Sequence, residues 1–240
     1  MNKAYNLIID ESFFGNIMRL SNMISEEQGK QKYNHDKRVV KELLNECIVK
    51  EESTYRLNAN KLTELMFPNI DADVFLSHSH NNDFDLACKV SAYLEKKTGK
   101  KVFIDAVVWE SIYELEDELN MSFALKERNI DANIYDYEKA RNIASHVRLL
   151  LTTALSGMIK KCSAFVILNT QSTFIGGAVT NSPWIYYEIF QARQYLDVKQ
   201  EEMVLLEKMA EDRRLIVDYN IEHYIKSFTV VSINDLCSKL

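Results

Sequence analysis

Glu188 follows Trp184 by four residues in the run Ser182-Pro-Trp-Ile-Tyr-Tyr-Glu188, a spacing that sets both side chains on one face of a helix. A carboxylate there can steady positive charge developing on a substrate, and an indole can stack on a flat ring. Three further groups fall where strands are expected to end: Ser79 and His80 in His78-Ser-His80, Asp105 closing Lys101-Val-Phe-Ile-Asp105, and Trp109 just beyond. Ser79, His80 and Trp109 are candidate substrate contacts. Asp105 has two readings, as a cap for the following turn or as a substrate contact. The His-x-His pair also suits a metal, but a catalytic zinc needs at least three ligands. The remaining histidines of the five, His35, His146 and His223, are scattered, so no metal is expected.

The elements that must position these groups can be read from local pattern. Ser182 caps a helix whose first turn accepts Pro183. Ser163-Ala-Phe-Val-Ile-Leu-Asn-Thr170 before it is an apolar run of strand length, and Gly176-Gly177 breaks the connection between them. Asp73-Val-Phe-Leu-Ser77 predicts another strand. Phe84, Leu86, Ala87, Val90, Tyr93 and Leu94 then predict a helix closed by Gly99, and 101–105 a second strand. Strand, helix and strand in that order make a βαβ unit with parallel strands, whose ligand edge is the carboxyl end.

From 107 to 145 periodicity is weak and acids are frequent, which predicts an extended loop with some helix. A strong amphipathic helix follows, with Ser145 as its expected cap. Helix is predicted at 201–210, strand at 215–217 and 228–231, and a short helix from Ile233 to Leu240. The five strands, joined by helices or long loops, predict an open, mostly parallel α/β sheet. Residues 1–70 predict a helical N-terminal extension, with helices around 13–24, 39–48 and 60–67, and 71–240 the main domain.

Composition narrows the function classes. The 240 residues are 47% hydrophobic with a formal charge of −6, which fits a globular core and disfavours a broad nucleic-acid surface. Cys47, Cys88, Cys162 and Cys237 lie far apart, as free thiols in a reducing compartment do. No apolar run reaches the length of a membrane span or signal sequence. A cytoplasmic protein with neither nucleic acid nor membrane as partner is expected.

Three segments, Asp73-Val-Phe-Leu-Ser-His78, Val102-Phe-Ile-Asp105, and Ser182-Pro-Trp184 with Glu188 four residues on, resemble the Toll/interleukin-1 receptor (TIR) domain of bacterial proteins over roughly 71–240. The resemblance implies a flavodoxin-like, mostly parallel five-stranded sheet. It also implies cleavage of the nicotinamide–ribose bond of NAD, with Glu188 as the catalytic carboxylate. NAD is then the substrate, with no separate cofactor, and the product is ADP-ribose or its cyclised form, a signal in antiviral defence. The resemblance implies self-association through the TIR domain and a downstream effector protein as partner. The same family also supplies the rival reading, a non-catalytic assembly module.

Overall fold

The computed structural model describes residues 3–9, 40–52, 54–66, 71–79, 83–128, 133–176, 178–196 and 218–240. The expected segments at 13–24, 201–210 and 215–217 lie outside the described residues. Five parallel strands form one sheet: β1 (Lys3–Ile8), β4 (Val74–Ser77), β5 (Val102–Ile104), β8 (Ala164–Asn169) and β11 (Thr229–Val231). Their spatial order is β11-β1-β8-β4-β5. The chain is therefore an α/β protein with a parallel sheet, as the alternation of strands and helices predicts.

The N-terminal boundary is corrected by this order. Residues 1–70 are not a wholly helical extension, because β1 is an inner strand of the main sheet. Its six residues pair in register with β8, from Lys3 opposite Ala164 to Ile8 opposite Asn169, and Tyr5 pairs with Thr229 on the other side. The rest of the described N-terminal part comprises α1 (Val40–Cys47), α2 (Ala59–Met66) and, between them, an antiparallel hairpin of β2 (Ile48–Glu51) and β3 (Thr54–Leu57). Leu44, Cys47 and Leu62 from the two helices are buried in the same core as the sheet.

Alternation along each strand sends successive side chains to opposite faces. Val74, Leu76, Val102, Ile104, Val166 and Leu168 face α3 (Phe84–Thr98) and α8 (Ile233–Lys239). Phe75, Phe103, Phe165 and Ile167 face the helices on the opposite side. Phe75 lies 5.4 Å from Phe103 and 5.6 Å from Phe165, ring centre to ring centre, a ladder of aromatic pairs across three strands. Such pairs contribute about 0.5–1.5 kcal/mol each beyond their buried area. Gly99, at φ +69, ends α3 in the left-handed conformation that glycine adopts without cost.

The segment 107–145 is not an extended loop. It contains α4 (Ala106–Phe123), then an antiparallel pair, β6 (Leu125–Arg128) and β7 (Asn133–Tyr135), and the start of α5 (Tyr137–Lys161). The acids of α4 mask its pattern, yet Ile112, Leu115 and Leu119 bury one stripe. Asp136 caps α5 by accepting from the amides of Glu138 and Lys139. Ser145 is thus no cap; its hydroxyl donates to the Arg141 carbonyl inside the helix. No helix among the described residues is long and apolar enough to cross a membrane.

Candidate functional site

The order of the sheet creates a switch point: from β4 the chain crosses to β5 on one side, while β8 lies on the other. Crevices at the carboxyl ends of such neighbouring strands are where open α/β sheets bind ligands. Ser77 ends β4, Asp105 follows β5, and α6 (Pro183–Gln194) leads away from the far end of β8 through the short strand β9 (Val179–Thr180). Ser182 caps α6 as predicted, accepting from the Ile185 amide, with Pro183 in the first turn.

Glu188 points inward from α6 and has no exposed surface. Ser77 occurs on the same sheet face as Phe75 by alternation, and its hydroxyl donates to Glu188 Oε2 at 2.5 Å. Glu188 Oε1 meets no N–H or hydroxyl donor. The Asp105 carboxyl lies within hydrogen-bonding reach of Glu188. Asp105 is itself fully buried, and His78 Nδ1 stands 3.3 Å from its Oδ1. Four side chains from the ends of β4 and β5 and from α6 thus form one buried polar group, Ser77–Glu188–Asp105–His78.

Burial drives the Glu188 carboxyl well above the ordinary glutamate range, and the neighbouring Asp105 charge and hydrogen bond push it further; the Ser77 hydroxyl opposes them. Two carboxyls near one another in a dry site disfavour each other's charge, which is why the Asp105 neighbour raises the proton affinity of Glu188. Asp105 begins α4 but makes no side-chain cap bond there. Its carboxyl turns towards Glu188 instead, which removes the cap reading.

Ser79 is half-buried beside the group, and its carbonyl accepts from the Asp83 amide. His80 and the Trp109 side chain lie outside the described residues. Trp184, in the first turn of α6, is half-buried against the core on that side of the sheet. Among the described residues no three His, Cys, Asp or Glu side chains converge on a metal site.

Sequence reading missed Ser77 as the partner of Glu188 and missed a second bridge at the carboxyl ends of the strands. Asp83 Oδ2 accepts from Thr170 Oγ1 at 2.5 Å and from Thr173 Oγ1 at 3.4 Å, tying the start of α3 to the loop after β8. Thr170 closing an apolar strand was the one available signal for it. An aromatic cluster anchors the outer side of α6: Tyr186 stacks on Tyr219 at 4.8 Å and meets the edge of Tyr224. On the inner side Tyr187 donates to the Thr152 carbonyl of α5. α6 is therefore held from two directions, which fixes where Glu188 points.

No family model, curated protein or solved structure matches the chain.

Proposed function

We propose that the chain is a cytoplasmic TIR-type NAD glycohydrolase in which Glu188 acts on the ribose. The observation that carries the reading is the Glu188 carboxyl, buried beside the end of β4 at the sheet's switch point and held by the Ser77 hydroxyl. The sheet order supports it. Numbered in chain order the sheet reads 5-1-4-2-3; with the N-terminal strand set aside, β5, β4, β8 and β11 stand in the order 2-1-3-4, which follows the 2-1-3 start of flavodoxin-like sheets. The departure is that the N-terminal strand fills the fourth place.

Breaking the nicotinamide–ribose bond puts positive oxocarbenium character on the ribose. A carboxylate facing the ribose attracts that charge and so binds the transition state more tightly than the ground state, and it can accept the proton released when water adds to C1′. The C1′–N bond breaks, its electron pair neutralises the pyridinium nitrogen, and water or a hydroxyl of the ADP-ribose adds to C1′. The first course gives ADP-ribose and the second its cyclised form, either serving as a signal to an effector protein in antiviral defence.

Complete burial of Glu188 favours a second reading, a TIR assembly module in which this acid only completes a buried polar group. The two part on one experiment. Purified full chain at high concentration is incubated with NAD and its products separated; nicotinamide release that disappears in Glu188→Ala supports the enzyme. Absence of release across the concentration range leaves the assembly module. Because the carboxyl is enclosed, turnover needs the crevice to open, and self-association is the expected trigger, so specific activity rises with protein concentration.

A further inference from the structure

We propose that Asn6 of β1 binds the carboxamide of nicotinamide, which makes the N-terminal strand part of the substrate site. The inference rests on the reading of Glu188 as the group that meets the ribose of NAD, and it deepens that reading. It starts from a polar side chain in the wrong surroundings: Asn6 is only 8% exposed on an otherwise apolar strand. Among the described residues no donor reaches its buried Oδ1. A buried acceptor left in that state is costly, and one that a fold retains calls for a donor from outside the chain.

The strand register shows where such a donor would come from. Asn6 pairs with Ile167 of β8, and Ile167 pairs with Ser77 of β4. Residues in one row of a parallel sheet send their side chains to the same face. Asn6 therefore shares the face of Ser77, whose hydroxyl holds Glu188. Two strand spacings, about 10 Å, separate the backbones of Asn6 and Ser77. The row runs out to an open edge, because Val230, the partner of Asn6 on β11, is 59% exposed and Ile8, two residues further along β1, is 43% exposed.

With the ribose hydroxyls turned to Glu188, the next donor along NAD is the carboxamide N–H of nicotinamide. The amino group of adenine lies beyond two phosphates and a second ribose, too far to serve. Asn6 Oδ1 accepts from the carboxamide and fixes the base while Glu188 meets the ribose; it exchanges no proton. A carboxylate in place of the carboxamide has no N–H to give and sets acceptor against acceptor. A site built in this way rejects nicotinic acid adenine dinucleotide.

The test measures kcat/KM of the full chain for NAD and for nicotinic acid adenine dinucleotide, following release of each base. Wild type is expected to prefer NAD by about tenfold or more. Asn6→Leu removes the acceptor at similar volume and is expected to bring the two substrates within about threefold of each other. Should that variant not fold, Asn6→Ala takes its place. A wild type without preference for NAD overturns the proposal, and so does a preference that survives the substitution; in both cases cleavage of NAD leaves the glycohydrolase reading standing. Cleavage of neither dinucleotide removes that reading, and calorimetric affinities for the two then decide on Asn6. A preference for NAD that the substitution abolishes supports the proposal, and any other result overturns it.

Discussion

Ser77 Oγ and Glu188 Oε2 meet at 2.5 Å although the two residues stand 111 apart in the chain. The contact joins the end of one inner strand to the middle of a helix, and it is the hydrogen bond that favours the ionised form of Glu188. Ser77→Ala removes the donor and leaves a buried acceptor without it, a loss of about 1–3 kcal/mol. Urea unfolding is expected to show a lower midpoint with an unchanged slope. The same variant raises the proton affinity of Glu188 further, so any nicotinamide release shifts to higher pH.

Glu188 also makes stability depend on pH. Its folded-state proton affinity is raised above the unfolded value, so its favourable contribution is complete below the unfolded pKa and is lost as pH rises through the folded one. Wild type is expected to lose stability relative to Glu188→Gln as pH rises above the ordinary glutamate range. Denaturant midpoints measured at intervals over that rise check it; parallel profiles for the two proteins contradict it.

The inner position of β1 predicts the behaviour of fragments. A chain beginning at Asp71 lacks the strand that pairs with both β8 and β11, so it is expected to give no cooperative thermal transition. Within the full chain Leu7, fully buried, is expected to cost about 2–5 kcal/mol when changed to alanine. A stable 71–240 fragment contradicts the integrated fold.

Thiol chemistry supplies a fourth check. Cys47, Cys88 and Cys162 are buried and Cys237 is half-buried. Burial pushes the Cys162 thiol up to about 12, leaving almost no thiolate at neutral pH. A disulfide reagent added to native protein is expected to label Cys237 first and the other three only on unfolding.

How much of this was legible in the sequence differs by element. β4, β5 and β8 are short apolar runs bounded by turn signals, and α6 carries its own start signal in Ser182 and Pro183; local chemistry suffices for each. β1 has only Ala-Tyr-Asn-Leu-Ile to show. Asn6 interrupts its apolar character, and both pairing partners lie more than a hundred residues away, so nothing nearby marks it as an inner strand. α4 was hidden because Glu110, Glu114, Glu116, Asp117 and Glu118 crowd the sequence around Ile112, Leu115 and Leu119. Glu188 stood out by its place on a helix, but its meeting with Ser77 and Asp105 depends on strand order, which no local pattern encodes. The cap reading of Asp105 failed for the same reason: a carboxyl at a helix start was claimed by a tertiary neighbour.

The N-terminal strand also has a consequence in time. Its residues leave the ribosome before those of either neighbour, yet Lys3 has its place opposite Ala164 and Tyr5 opposite Thr229. At about 5–20 residues per second of synthesis, β11 follows β1 by roughly ten seconds or more. Through that interval an apolar strand waits without either neighbour, the circumstance in which nascent chains aggregate or engage chaperones. β11 completes the seating of β1, so the sheet closes only after β11 has been made.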